Sequence, residues 1–161
     1  MSVAFTREES AETAAEVGLP DRPVSPHPNF VTTSGLKALN TAMAEARAAY
    51  DAAQQIEDVN ERRRTAASAF RDMRYFAERL RSAQLVASPA GVDAVAFGNR
   101  VTFSRSDGRR QVFRIVGEDE ADPRSGSISY VSPVARILIG KAVGDVVVFG
   151  DDEIEVLAIT E

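Results

Sequence analysis

Three acids and three arginines crowd into eight positions: Glu57, Asp58 and Glu61, with Arg62, Arg63 and Arg64 following directly. Close carboxylates can offer oxygen ligands to a hard cation, and guanidinium groups can pair with phosphate or with foreign carboxylates. Other reactive chemistry is thin. The chain has no Cys, which excludes disulfides, a Cys nucleophile and any Cys-ligated zinc or iron–sulfur site. Its one His, His27, sits in a Pro-rich stretch. A His metal site, a Ser-His-Asp triad and a His general base are therefore not expected. A formal charge of -5 argues against a general binder of nucleic-acid backbone.

Each of these residues also has an ordinary structural reading. Asp58-Val59-Asn60-Glu61 has the form of a capping box, with Asp58 as N-cap and Glu61 reaching back. Glu57 and Glu61 read equally well as solvated loop acids. Arginines in a first helical turn oppose the helix dipole, which gives Arg62, Arg63 and Arg64 a local cost that a binding contact would explain. Residues 61–90 hold seven bases against three acids inside an otherwise acidic chain. Within that block, Arg71, Arg74, Arg79 and Arg81 lie off the apolar seam and read as a solvated face.

The elements that position this cluster follow from periodicity. Residues 34–87 contain no Pro and only Gly35. Leu36, Leu39, Met43, Ala46, Tyr50 and Ala53 follow alternating steps of three and four, as do Ala66, Ala69, Met73, Phe76, Leu80 and Ala83. Paired from opposite ends, these positions share one index total of 119, which predicts an antiparallel hairpin turning between Val59 and Asn60. The tip is then expected near 57–62, with arms of about 36 Å at 1.5 Å per residue. Two helices bury only a narrow seam, so the hairpin is expected to protrude. Residues 1–29 are acidic, Pro-rich and short of large apolar side chains, and read as a mobile tail. No apolar run reaches membrane-spanning length and no signal peptide is visible, so a cytoplasmic location is expected.

Residues 92–161 change to period two. Strands are predicted over 100–104, 111–116, 127–131, 146–149 and 154–159. Ser132 and Pro133 open a short helix as N-cap and first helical position, and Gly140 ends it. Residues 88–91 link this part to the hairpin. The fold class is α+β: an N-terminal helical hairpin, then a small sheet domain with one helix.

The ordered series Val112-Phe113-Arg114-Ile115-Val116-Gly117, Ser132-Pro133-Val134-Ala135-Arg136, Gly140-Lys141 and Val143-Gly144-Asp145 resembles the carboxyl half of the bacterial Gre transcript-cleavage factors. Ala4-Phe5-Thr6-Arg7-Glu8, Phe30-Val31-Thr32 and Ala83-Gln84-Leu85-Val86 are also Gre-like, nearer the GreB branch. The resemblance implies an FKBP-like carboxyl domain over 92–161 and a coiled coil over 30–87. It implies RNA polymerase as partner, entered through its secondary channel, and a role in transcription elongation, with the family's DNA-binding and transcription-regulation attributes. Ser132, Pro133 and Arg136 become candidates for docking on polymerase. Arg62, Arg63 and Arg64 become candidates for meeting the channel interior or nascent RNA. No cofactor is implied beyond indirect contact with the polymerase active-site Mg²⁺.

One region departs from the family. Gre factors carry a Gly-Asp-x-x-Glu-Asn-Ala-type motif at the hairpin tip, whose carboxylates help hold Mg²⁺ and activate water to cut backtracked RNA. Local similarity would set Asp51 against that motif, with Gln54 and Gln55 replacing its second acid and its Asn. The heptad geometry instead places Asp51 about 12 Å down the stem, leaving Glu57, Asp58 and Glu61 as tip candidates. The stem also reads about one heptad, or about 10 Å, shorter per arm than the family's. The expected protein is a monomeric accessory factor, not an enzyme, that occupies the channel without efficient cleavage stimulation. Alternatives are a true cleavage factor using the tip acids, a scaffold dimerising through the hairpin, and a prolyl isomerase, which would need an aromatic-lined pocket.

Overall fold

A computed structural model describes residues 19–89 and 91–161. The Gre-like start at 4–8 and most of the expected tail lie outside the described residues. The chain divides into two compact units. One takes residues 19–26 with Leu39–Arg81, the other His27–Ala38 with Ser82–Glu161.

The first unit is the hairpin. Helix α1 spans Thr33–Ala53 and α2 spans Val59–Ser82. Leu39, Ala46 and Ala53, one heptad apart, are buried, and Ala69 is buried on α2. Tyr50 meets Phe70 at a ring separation of 6.1 Å, one position beyond the expected Ala69. Residues 19–26, expected in a mobile tail, instead lie along α2. Arg22 pairs with Asp72 at 3.1 Å, and its guanidinium sits 3.9 Å over the Tyr75 ring. Asp21 pairs with Arg74. Arg79 falls on the same helix face, one turn beyond Tyr75 and Phe76, and is 2% exposed, so it does not belong to a solvated face. Among the described residues, no helix is long and apolar enough to cross a membrane.

The turn lies earlier than the seam arithmetic predicts. Residues 54–58 connect the helices, and 59–62 belong to α2. The cap sets the start of the second helix. Asp58 Oδ1 accepts the Glu61 N–H at 2.7 Å, so α2 must start right after Asp58. On the other side, Gln55 and Ile56 N–H groups bond three residues back, to Ala52 and Ala53 carbonyls, tightening the end of α1.

The second unit is a five-stranded sheet with one helix. Its strands are β3 (Arg100–Arg105), β4 (Arg110–Val116), β5 (Ser127–Ser129), β6 (Val146–Phe149) and β7 (Asp152–Thr160), in the order β5-β4-β3-β7-β6. The β4–β5 pair is parallel and the others antiparallel. Helix α3 (Pro133–Leu138) is capped by Ser132, whose side chain accepts the Ala135 N–H. Alternate strand residues and the inner face of α3 meet in one core: Val101, Phe103, Ile115, Leu138, Ile154 and Val156 are each essentially inaccessible.

Two short strands just outside the hairpin, β1 (Phe30–Val31) and β2 (Gln84–Leu85), pair in parallel within this unit. Gly117 is fixed by that pair, because a Cβ there would stand 2.3 Å from the Phe30 carbonyl oxygen. Thr32 caps α1, accepting the Gly35 N–H at 2.9 Å. Thr32 and Ser34 hydroxyls each donate to Glu120, both at 2.6 Å, placing a carboxylate at the positive end of α1.

Candidate functional site

Two sets of residues qualify, one in each unit. At the hairpin turn, the early loop reorders the candidates. Asp51 lies in the last turn of α1 rather than well down the stem, and Gln54 and Gln55 stand in the loop itself. The local alignment that heptad geometry displaced is therefore the one that locates the turn. Asp51, Gln54, Gln55, Glu57, Asp58 and Glu61 are all exposed. Asp58 spends one carboxylate oxygen on the Glu61 N–H. Among the described residues, no group of three His, Cys, Asp or Glu side chains is placed to hold a metal ion.

The three arginines are not equivalent. Arg62 is half-buried and donates from Nη1 to the Ile56 carbonyl at 3.2 Å, closing the turn. Arg63 and Arg64 are exposed. The structure thus assigns a structural contact to one member of the expected basic patch and leaves two facing solvent.

In the sheet unit, Ser132 and Pro133 border a cleft of about 230 Å³. Phe103, Phe113, Ile128, Val134 and Phe149 give it apolar walls, and Arg105 and Gln111 stand at its polar edge. Arg105 is held there from two sides: Nε donates to Gln111 Oε1 at 2.7 Å and Nη1 to Asp152 Oδ2 at 3.1 Å. Asp152 also accepts the Ser106 hydroxyl. That hydrogen bond first, and Arg105 second, lower the Asp152 carboxyl to about 2. Arg136 is exposed on α3, outside the cleft lining.

Reading the aromatic residues as core alone misses this cleft. Phe103 is buried, but Phe113 and Phe149 are only partly so. One signal was available. Val101, Phe103 and Arg105 share one strand face, so a cation is in phase with core residues at the strand's end. The cleft supplies the aromatic lining a prolyl isomerase would need, but its volume is below the roughly 300 Å³ lower end for ligand pockets.

Comparison with known proteins supplies the family. The sequence profile described as "Transcription elongation factor, GreA/GreB, C-term" matches residues 89–161. Transcription elongation factor GreA of Ralstonia nicotianae is 38% identical over 138 residues, covering 76% of this chain and 81% of that protein. GreB of Haemophilus ducreyi is 33% identical over 144 residues, covering 80% and 84%. GreB of Neisseria meningitidis serogroup A is 41% identical over 95 residues, and there the match spans 58% of the relative's length. A solved GreA/GreB factor from Nitrosomonas europaea overlays only loosely, with a TM-score of 0.40 at 14% identity, over 84% of this chain and 99% of that one. With most of two full-length relatives matched at these identities, the chain belongs to the GreA/GreB family of transcription elongation factors.

Proposed function

We propose that this chain regulates transcription elongation by occupying the RNA polymerase secondary channel without efficiently stimulating transcript cleavage. The observation that carries this reading is the amide pair Gln54 and Gln55 in the turn. Gre cleavage chemistry, as the family resemblance implies it, needs a pair of carboxylates to hold Mg²⁺ and orient water, at the positions that match Asp51 and Gln54; Gln55 matches the motif's Asn. An amide oxygen carries no net charge and binds that ion far less strongly than a carboxylate does. Asp51 alone keeps an acid at the matching position. Glu57 faces solvent on the far side of the turn, and Asp58 is engaged as a cap.

The sheet unit supplies the anchor. Its cleft beside Ser132 and Pro133 presents apolar walls with a polar rim, a composition suited to receiving an apolar side chain from a protein partner. Exposed Arg136 flanks it. Binding there would bring the protein to the channel rim, and exposed Arg63 and Arg64 would favour entry into a channel lined with carboxylates.

The test is RNA cleavage in backtracked polymerase complexes, with this protein alone and in competition with a cleaving Gre factor. The expected result is little cleavage alone and slower cleavage in the mixture. Robust cleavage that is lost on Asp51→Ala or Glu57→Ala would overturn the reading. Arg136→Ala is expected to weaken co-sedimentation with core polymerase about three- to tenfold, as loss of one rim charge contact would.

A further inference from the structure

The sheet's two edges are built differently. β5, at one edge, is three residues long and carries two serines, the short polar form that discourages pairing. β6, at the other, is Val146-Val147-Val148-Phe149, with β7 on one side and, among the described residues, no strand on the other. It has no charge, no Pro and no bulge, the devices that normally protect an edge. Val146 and Val148 point away from the core and are 57% and 68% exposed. Their cross-strand partners on β7 are Glu155 and Glu153, both exposed on the same outer face. Exposed Asp145 and Asp151 stand just beyond the two ends of the strand.

An unprotected, high-propensity edge framed by four carboxylates has a defined complement. A second copy of this chain fits badly. Laid antiparallel on the edge, it would bring Asp145 of one copy beside Asp151 of the other at both ends, four like charges around four residue pairs. A strand with apolar or β-branched residues in its centre and bases at its ends fits well. Its backbone would complete the open hydrogen bonds, its outer side chains would cover Val146 and Val148, and its bases would meet the acids. We propose that β6 is an interaction edge that accepts an extended, basic protein segment as a sixth strand. Of this strand only the inward Phe149 also lines the cleft; Val146, Val148 and the four acids do not, and the inference stands whether or not the cleft binds polymerase.

The experiment titrates the isotopically labelled full chain with a capped peptide of about eight residues, alternating valine and threonine with an arginine at each end. A matched peptide with glutamate at each end is the control. The arginine peptide is expected to shift the amide signals of residues 145–151 saturably and slow β6 amide exchange. It should bind at least about tenfold more tightly than the glutamate peptide, with affinity falling as salt rises. Val148→Lys, a change on the solvent side of the strand, should weaken arginine-peptide binding by about tenfold or more while leaving the remaining amide spectrum in place. Should that variant perturb the whole spectrum, the comparison of the two peptides on the unaltered chain decides. Equal binding of both peptides, shifts confined to other residues, or no shift would overturn the proposal. So would peptide-free, concentration-dependent protection of β6, which would give the edge to a second copy.

Discussion

The Arg62 guanidinium reaches back across the turn to the Ile56 carbonyl, Nη1 to O 3.2 Å, so a residue of the basic run is part of the turn it follows. This divides the three arginines into testable classes. Arg62→Ala is expected to destabilise the hairpin by about 1 kcal/mol, the usual net worth of one such bond. Replacing Arg63 and Arg64 together by Glu should change stability little, since both lie beyond the first turn of α2, where the pull of the helix dipole has largely faded. The same double change should weaken polymerase binding and flatten its salt dependence. Chemical denaturation and polymerase affinity at two salt concentrations check both halves. Equal affinities and equal salt slopes would make Arg63 and Arg64 a solvated face.

Asp58 sets where α2 begins, through its bond to the Glu61 N–H. Asp58→Ala should cost about 1 kcal/mol and raise amide exchange over residues 59–62, whereas Asp58→Asn should retain most of the stability. Exchange unaltered by the alanine change would show that something else holds the turn.

Gly117 faces the Phe30 carbonyl too closely for any side chain. Gly117→Ala should therefore cost about 1–3 kcal/mol by forcing β1 away, and should lower protection of the Gln84 and Val86 amides, which bond to Asn29 and Val31. Thermal melting with exchange at those two amides is the measurement.

The Asp152 carboxyl is lowered from 3.8 to about 2 by the Ser106 hydroxyl and then by Arg105. Lowering means that folding favours the ionised form, so its contribution is complete above about 4 and is lost as pH falls through about 2. Asp152→Asn should flatten the stability profile across that window relative to the parent protein. It should also loosen Arg105 at the cleft edge, visible in the guanidinium NMR signals. A parallel pH profile for variant and parent would remove Asp152 from the acid response.

Much of the sheet unit was legible because its signals are local. Ser132-Pro133 announces a helix start, and Val112 to Val116 announces a strand. The β1–β2 pair was not legible. Two residues carry no periodicity, and Phe30 and Gln84 find each other only when the intervening hairpin has folded back. The turn was half legible: the heptads gave two helices, and the Asp58 cap fixed where the second one begins. In the cleft, Phe113 and Phe149 satisfy the pattern of a core strand whether or not a neighbour covers them completely. Sequence period reports the face a residue takes, and the depth of burial depends on what lies above it.

The chain passes into the hairpin from Val31 and comes out of it at Gln84, through strands bonded side by side and running the same way. The whole hairpin is therefore a closed excursion from a fixed doorway. Because exit and entry stay adjacent whatever the path between them, heptads can be removed from or inserted into both arms in pairs without disturbing the sheet, and lengthening a closed loop costs little chain entropy. Reach and anchorage are thus separately heritable in this architecture. A set of proteins with the same base and stems graded in heptad steps would probe a partner's interior at intervals of about 10 Å, a ruler whose divisions are set by the helical rise.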